Sequence, residues 1–421
     1  MCYLLAPEHH GVEGRFLKSR PVSITKAGAS RDTAAIRAAV AEAIGGVCDL
    51  RELIQPGQTV LLKPNVFAPR PAPTTTDPRV VVAVGELARE AGAGRVVVAE
   101  GRSISTAKYR RGANSTRQCF EAVGMRQAVE DAGFEIVYLE EDEFREVAVP
   151  NAQVLHTAHV PRTILEADVF INLPVMKIHS LTTVTLAIKN LHGIVSDYDK
   201  LYQHCYRDLA LARKLTDLLR VRPPDLNVLD ALVGQEADHS ANGRPVEMGL
   251  IMASTDAVAL DAVAGAVMGL DPEEVDTTRI AGEVGLGAAD LAGIEVVGES
   301  IAAVRRPFAR PDVELSEEKF PGLRLYAGDY CRSCSYYIRR GLDRLKQEGL
   351  LDEDHPLAVI VGRDADVPDD LACPVAILGD CALASESVKP LRNRLLLRGK
   401  LNAVYACPPM EFRIRAADML D

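Results

Sequence analysis

Apolar strand-like runs alternate with helical periodicities through roughly the first 300 residues, and this alternation restricts the fold of the chain more than any other feature. Strand-like runs are Thr59–Val66, Arg95–Val98, Phe134–Leu139, Val169–Leu173, Leu226–Leu229 and a short one after Leu250. Helical patterns are Pro78–Gly92, Gln118–Gly133, Leu209–Leu219 and a stretch from Asp256 towards Gly269. Continuous apolar strands are typical of sheets that are covered on both faces. The sequence therefore predicts an α/β protein with largely parallel sheets and flanking helices.

The chain divides near residue 305, and we expect two or three domains in its 421 residues. Residues 305–325 are irregular and charged, contain three prolines, and predict a linker. Residues 1–304 form an α/β region of one or two subdomains, and residues 326–421 form a small cysteine-bearing α/β domain. The predicted elements of that last domain are a helix at Tyr336–Glu348 and strands at Leu357–Val361, Val375–Leu378 and Leu401–Tyr405.

Composition excludes several classes of function. Acidic residues outnumber basic ones by 59 to 48, Trp is absent, and aromatic residues make up only 5% of the chain. Such a chain lacks the basic footprint and the stacking surface of a nucleic-acid binder. No apolar run approaches the roughly 20 residues of a membrane helix, and the first residues carry no basic n-region. We therefore expect a cytoplasmic protein without a membrane or nucleic-acid partner, and a homodimer because that is the commonest assembly.

The last five of the nine cysteines lie in the final quarter of the chain. Cys331 and Cys334 form a C-x-x-C pair at the start of a helix, where backbone N–H groups favour thiolates. Cys381 and Cys407 each follow a predicted strand, and the carboxyl ends of neighbouring parallel strands meet at the edge where ligands bind. These four thiols predict a metal centre, which we interpret as a 4Fe-4S cluster. Cys373 precedes its strand and is assigned to the core.

Three other interpretations of the cysteines stay open. They are unconnected buried cysteines, a redox-active dithiol at Cys331 and Cys334, and a structural zinc ion. A dithiol would leave Cys381 and Cys407 without a role. Zinc sites usually arise from paired knuckles, whereas these two ligands are single and far apart. Proline after the last ligand also occurs in the bacterial ferredoxin pattern, so zinc is the alternative and the cluster is favoured.

Polar side chains gather where predicted strands end, within apolar surroundings. An embedded lysine needs an anionic partner from the protein or from a ligand. The three threonines before Asp77 also resemble a helix N-cap with N–H groups for an anion. We therefore predict a site for a small anionic organic substrate that carries a carboxylate. The candidate catalytic residues are His179, Lys177 and Lys189, and the candidate binding residues are Lys63, Asn65, Thr75, Asn190 and His204. The alternative is that these lysines form internal ion pairs with Asp230, Asp256 or Asp261.

Several motifs resemble the "domain of unknown function 362" family. They lie between about Pro21 and Glu299 and are Val60-Leu-Leu-Lys63-Pro-Asn65, Thr75-Thr-Asp-Pro78, Asn172-Leu-Pro-Val-Met-Lys177-Ile-His179, Leu186-Ala-Ile-Lys189-Asn190-Leu-His-Gly193 and Ala253-Ser-Thr-Asp256-Ala-Val-Ala-Leu-Asp261. The resemblance implies an iron–sulfur protein. Many members carry their cluster on ferredoxin modules with repeated C-x-x-C-x-x-C, whereas this chain has one C-x-x-C and two isolated cysteines. The segment with Lys177 and His179 is also similar to lactate racemase-type proteins, which bind hydroxy acids between two α/β domains.

These features together predict an iron–sulfur oxidoreductase. It would pass single electrons from a donor such as a ferredoxin or flavodoxin to a small carboxylate-bearing substrate, for example at an activated double bond. The lysines would stabilise developing negative charge, and His179 would deliver a proton. The alternatives are a non-redox isomerase or lyase with a structural metal centre, and an electron-transfer or assembly protein without catalysis of its own.

Overall fold

The computed structural model describes residues 20–28, 30–103, 115–368, 371–397, 401–405, 407 and 409. The chain falls into two compact units. The first unit takes in residues up to 178 together with 182–200 and 213–309. The second takes in residues from 310 onwards and two short middle segments, 179–181 and 201–212. Both units contain sheet and helix, so the predicted α/β class is confirmed.

A large, mostly parallel sheet forms the centre of the first unit. In the described part of the chain it has ten strands, with the order β12-β1-β11-β10-β7-β2-β3-β4, and β8 pairs with β10 and β9. Strand β11 runs antiparallel to β1 and β10, and β5 and β6 form a separate antiparallel pair. The bounds are β1 Val22–Lys26, β2 Thr59–Pro64, β3 Arg95–Glu100, β4 Glu135–Tyr138, β5 Phe144–Ala148, β6 Thr157–Pro161, β7 Val169–Leu173, β8 Val175–His179, β9 Thr183–Thr185, β10 Leu226–Glu236, β11 Arg244–Ser254 and β12 Val296–Gly298.

Helices wholly or mostly of the first unit accompany this sheet. Asp77 shows why one begins where it does: its carboxylate accepts the Arg79 N–H at 2.9 Å, and Pro78 occupies the first turn. The bounds are α1 Thr33–Gly45, α2 Leu50–Leu53, α3 Pro78–Glu90, α4 Thr116–Ala122, α5 Met125–Asp131, α6 Arg162–Glu166, α7 Ala187–Asn190, α8 Asp197–Leu201, α9 Ala210–Val221, α10 Ala257–Val267, α11 Asp276–Glu283 and α12 Ile301–Val304.

Two of the differences from the sequence prediction have a clear structural cause. The single helix predicted over Gln118–Gly133 is wrong, because Gly124 has φ +74 and separates α4 from α5. The strand predicted at Leu226–Leu229 continues to Glu236, because its later residues pair with β11. In both cases the observed bounds are set by backbone conformation or strand pairing and not by the local apolar pattern.

The second unit is built on a parallel four-stranded sheet with the order β13-β14-β15-β16. Its first strand begins at Leu323, inside the segment predicted as a linker, and Leu315 and Phe320 of that segment are buried in the core of this unit. The bounds are β13 Leu323–Ala327, α13 Arg332–Gln347, β14 Leu357–Val361, β15 Val375–Leu378, α14 Asp380–Ala384, α15 Val388–Leu397 and β16 Leu401–Tyr405.

Candidate cysteine and lysine sites

The C-x-x-C pair lies at the beginning of α13 in the second unit. Cys331 is the N-cap residue, and its carbonyl accepts the Cys334 N–H at 2.9 Å. The Cys334 side chain is fully buried. Between them, the Ser333 Oγ accepts the Tyr206 N–H at 2.9 Å, so a segment from the middle of the chain holds this turn. The pair is thus fixed by backbone contacts on both sides.

Gly379 brings the other cysteines to the same place. It links β15 to α14 and has φ +94, a conformation that favours glycine. A Cβ on Gly379 would lie 3.3 Å from the Sγ of Cys334, 3.5 Å from that of Cys407 and 3.6 Å from that of Cys381. Three sulfurs from three separate stretches therefore surround one Cα that carries no side chain. We call Cys331, Cys334, Cys381 and Cys407 the cysteine site.

The thiols of the cysteine site interact in two pairs. A hydrogen bond with the Cys334 thiol lowers the pKa of Cys331 to about 6, and the same contact with burial raises the pKa of Cys334. In the second pair, a hydrogen bond with Cys407 lowers the pKa of Cys381 to about 5, and the pKa of Cys407 is raised in turn. One sulfur of each pair is therefore stabilised as a thiolate, which is the form that binds metals.

Arg207 supplies positive charge beside the cysteine site. Its guanidinium donates to the Asp329 carboxylate at 2.8 Å and to the Asp329 carbonyl at 2.9 Å. It also hydrogen-bonds to the Cys381 sulfur, which contributes to the lowered pKa of that thiol. The Cys407 sulfur accepts the Asp380 N–H at 3.1 Å. Two sulfurs thus accept hydrogen bonds from nitrogen donors.

The chemistry of this donor set fits an iron–sulfur cluster or a zinc ion. Four thiols are soft ligands that select such centres, and N–H donors to sulfur stabilise a negatively charged cluster. The bare Cα of Gly379 gives the sulfurs room on one side. Across the described ranges, no three His, Cys, Asp or Glu side chains have the spacing of ready metal ligands. The thiols of each pair are in hydrogen-bond contact with each other.

In the first unit, Lys63 is buried at the end of β2 and pairs with Glu100 at the end of β3. Its Nζ lies 2.8 Å and 3.0 Å from the two Glu100 oxygens. The side chains of both residues are at most 3% exposed. Burial outweighs the attraction of Glu100 and lowers the pKa of Lys63. An internal ion pair is thus correct for Lys63, although its partner is Glu100 and none of the three aspartates considered from the sequence.

Lys177 is buried on β8, and no carboxylate of the described residues lies at hydrogen-bond distance from it. Its Nζ donates to the Asn65 Oδ1 and to the Thr74 carbonyl, both at 2.7 Å, and lies 4.2 Å from the centre of the Phe67 ring. Burial, followed by repulsion from Lys189, lowers its pKa well below the ordinary value. Lys177 is therefore held by neutral groups in surroundings that disfavour its charge.

Lys189 lies on the short helix α7 and is half-buried. Burial, followed by the positive charge of Lys63, lowers its pKa to about 8. A chain of amide hydrogen bonds of 2.8–2.9 Å runs beside it from Asn65 through Asn190 and Asn172 to Asn227. The structure thus brings Lys63, Asn65, Lys177, Lys189 and Asn190 together in the first unit. We call the three lysines among them the lysine cluster.

The remaining candidate residues lie elsewhere or act differently. The Thr75 hydroxyl is buried and donates to the Arg70 carbonyl at 2.8 Å, while the backbone carbonyl of its neighbour Thr74 contacts Lys177. His179 and His204 belong to segments of the second unit. The His179 Nδ1 accepts the Leu181 N–H at 3.1 Å.

The aspartates proposed as internal partners of the lysines instead accept backbone N–H groups. Asp230 accepts from Asp77, Asp256 accepts at the start of α10, and Asp261 accepts from Ala187 and Ile188 at the start of α7. Ion pairing of the lysines with these three residues is therefore wrong.

Sequence reasoning missed four residues of these sites: Glu100, Arg207, Gly379 and Arg70, whose positive charge also helps to lower the pKa of Lys177. Only Glu100 had a usable signal, because an acidic residue that ends an apolar strand lies at the same sheet edge as Lys63. Arg207 lies 122 residues from its partner Asp329. Its role depends on tertiary contacts that no local pattern encodes.

Fold and sites define a two-unit α/β protein with a four-cysteine site and a buried lysine cluster. The family model described as "Domain of unknown function (DUF362)" matches residues 60–266. The "Thylakoid-associated protein sll1697" of Synechocystis sp. is 32% identical over 259 residues, which cover 59% of this chain and 75% of that protein. The chain belongs to the family of that domain, as its motifs predicted.

Two solved structures show weaker likeness. The lactate racemase apoprotein from Thermoanaerobacterium thermosaccharolyticum gives a TM-score of 0.41 at 12% identity, over 60% of this chain and 58% of that one. A crystal structure of a Thermotoga maritima protein gives 0.36 at 10% identity, over 80% of this chain and 72% of that one. The chain spans less than two thirds of the racemase, and similarity at this level carries no functional argument.

Within the described residues, no helix combines the length and the hydropathy needed to cross a bilayer. The cyanobacterial relative is named as thylakoid-associated. The cytoplasmic location stays a prediction.

Proposed function

We propose that this protein is an iron–sulfur oxidoreductase. Cys331, Cys334, Cys381 and Cys407 would hold a 4Fe-4S cluster, and the substrate would be a small carboxylate bound at the lysine cluster. The observation that carries the proposal is the convergence of three cysteine sulfurs around the bare Cα of Gly379, with the fourth hydrogen-bonded to one of them. When bound, such a cluster supplies single electrons, which a ferredoxin or flavodoxin would deliver from outside.

The residues of the lysine cluster suit the binding and polarisation of a carboxylate. Lys189 is half-buried, and it lies close enough to Lys63 and Lys177 for their charges to repel one another, so an anion bound there would relieve this repulsion. There, negative charge that develops on a substrate is stabilised more strongly than in water. Reduction of a double bond would take two electrons, which the cluster would pass one at a time from the external donor, and two protons, which water would supply.

Metal analysis of protein purified without oxygen tests the cluster. We expect iron and acid-labile sulfide in about equal amounts, a brown colour, and bleaching by dithionite. Cys381→Ser should lose most of the iron, whereas Cys373→Ser should keep it, because Cys373 packs against the core of the same unit outside the cysteine site. A colourless protein with one zinc ion per chain would replace the redox proposal with the isomerase or lyase that has a structural metal.

The Lys189→Ala variant tests the substrate site separately. It should lose turnover and keep the visible absorption of the cluster, because Lys189 lies in the first unit and the cysteines in the second. Turnover equal to that of the wild type would make Lys189 a structural residue.

A further inference from the structure

We propose that the ligand of the lysine cluster carries two negative charges, as a dicarboxylate does. This deepens the proposed function and rests on the lysine cluster being the substrate site. The inference follows from a comparison of the carboxylates near the lysine cluster with the cationic side chains that they could pair with.

Glu100 is the carboxylate that serves this region, and its oxygens are already engaged. One oxygen accepts from Lys63 and from the Gly101 N–H at 2.8 Å. The other lies 3.0 Å from the Lys63 Nζ and 3.3 Å from the Val66 nitrogen. Glu100 therefore balances Lys63 and has little capacity left for a second cation.

Two further cationic side chains lie close enough to Lys177 to act on its charge. Lys189 and Arg70 both disfavour the charge on Lys177 by repulsion. Among the residues that the structure describes, the side chain of Lys189 has no hydrogen-bond or ion-pair partner. Arg70 is half-buried, and its Nη1 is a buried atom that also lacks a hydrogen-bond partner in the described ranges. Two cationic side chains beside Lys177 are thus left without an acceptor.

Asp230 and Asp261, two buried aspartates of the first unit, direct their carboxylates to backbone N–H groups and not to these cations. Asp230 accepts the N–H groups of Asp77 and Leu232, and Asp261 accepts those of Ala187 and Ile188. Lys189 and Arg70 are half-buried, so they are only partly solvated, and an anionic ligand would supply the acceptors that they lack among the described side chains. A monoanion would balance the charge of one of the two side chains, Arg70 or Lys189, whereas a dianion would balance the charges of both.

Calorimetric titration of the full-length protein tests this inference at constant ionic strength. The probes are succinate, butyrate with the same number of carbons but one carboxylate, and inorganic phosphate. We expect succinate to bind at least about tenfold more tightly than butyrate, the effect of one well-placed charge. Binding of phosphate as tight as that of succinate would also support a dianion and would assign the charges to a phosphate group.

Two variants and a matched control locate the effect. Arg70→Gln and Lys189→Gln should each weaken succinate binding about tenfold and reduce the preference over butyrate. Lys26→Gln removes the same charge from an exposed ion pair with Glu299 and should leave both affinities unchanged. The melting temperature of each variant without ligand shows whether it folds. If only one of Arg70→Gln and Lys189→Gln folds, that variant alone is enough for the test.

Equal affinities for succinate and butyrate, or an equal loss in Lys26→Gln, would overturn the inference. The iron content of the same samples separates it from the proposed function. Protein without iron that still prefers succinate would overturn the redox proposal alone. Protein with iron that binds succinate and butyrate equally would overturn only the inference of a doubly charged ligand. Failure to bind any of the probes would show that the lysine cluster is not the substrate site.

Discussion

Gly379 has no side chain, and this leaves space beside the backbone for three of the cysteine sulfurs. A methyl group there would lie 3.3–3.6 Å from three of them, and the residue would have to keep φ +94. We expect Gly379→Ala to lower the iron content by more than half, because the methyl group would be in tight contact with the Cys334 sulfur at 3.3 Å and would occupy the space that the three sulfurs share. The strained backbone would add about 1 kcal/mol of destabilisation. Iron content and urea denaturation measure the two effects.

Gly349→Ala is the matched control for this prediction. Gly349 belongs to the same unit and has φ +70, but no atom lies within 4 Å of the position of its Cβ. Gly349→Ala should therefore be destabilised by its positive φ to a similar extent and should keep a normal iron content. Equal iron loss in both variants would attribute the effect to stability and not to the sulfurs.

The residue scale also shows where sequence reasoning stops. Lys63, Asn65, Lys177 and Asn190 could be selected because each follows or lies near a strand end, and strand ends meet at a sheet edge. Their actual hydrogen-bond partners could not be read from the sequence. Lys177 contacts the backbone carbonyl of Thr74, 103 residues away, and such contacts follow from the tertiary fold alone.

At the scale of elements, the segment 201–212 is the unexpected part of the second unit. It lies far from the cysteines in sequence, yet Tyr206 donates to Ser333, and Arg207 contacts Asp329 and Cys381. The Arg332 guanidinium stacks 4.8 Å from the centre of the Tyr206 ring. This segment therefore holds the C-x-x-C turn and places a permanent positive charge beside one sulfur.

That charge leads to a prediction about reduction potential. Adding an electron makes a cluster more negative, so a nearby guanidinium stabilises the reduced form. We expect Arg207→Gln to shift the reduction potential of the bound cluster to more negative values, as measured by a redox titration followed by electron paramagnetic resonance. Arg344→Gln removes a charge from an exposed ion pair on α13 and should leave the potential unchanged. An unshifted potential in Arg207→Gln would restrict Arg207 to a structural role.

Several buried parallel strands could be predicted from the sequence, since Val169–Leu173, Leu357–Val361, Val375–Leu378 and Leu401–Tyr405 coincide with the observed bounds. Seven strands have no counterpart in the prediction, namely β1, β5, β6, β8, β9, β12 and β13. Buried parallel strands leave a continuous apolar run that needs no knowledge of the neighbours. The helix interrupted at Gly124 and the extension of β10 could not be predicted in this way. The positive φ of Gly124 ends a helix, and pairing with β11 extends β10. Both effects depend on backbone geometry, and the order of apolar residues contains no information about it.

On the scale of the whole molecule, the two candidate sites rest on different evidence. The family model ends at residue 266, so the lysine cluster lies inside the matched range and the cysteine site outside it. Membership of the family therefore bears on the first unit. The cysteine site depends on the arrangement of the sulfurs in the second unit, and the two sites need separate experiments.

The pH dependence of global unfolding gives a test that does not depend on any cofactor. Asp230 on β10 is buried, and burial followed by repulsion from Asp77 raises its pKa to about 7. In the unfolded chain this carboxyl loses its proton near pH 4, so the folded state binds the extra proton between about pH 4 and 7. The free energy of unfolding should therefore fall as the pH rises through this window.

The variant Asp230→Asn isolates this contribution because asparagine does not titrate. It should be less stable than the wild type near pH 5, and the difference should shrink by about 2–4 kcal/mol by pH 8, since one pKa unit corresponds to about 1.4 kcal/mol. Urea denaturation at several pH values measures it. For Asp312, burial is outweighed by hydrogen bonds from Lys319 and Arg339 that lower the pKa to about 2. Asp312→Asn should accordingly show a constant difference from pH 5 to 8, and the same constancy in Asp230→Asn would mean that Asp230 is ionised in the folded protein.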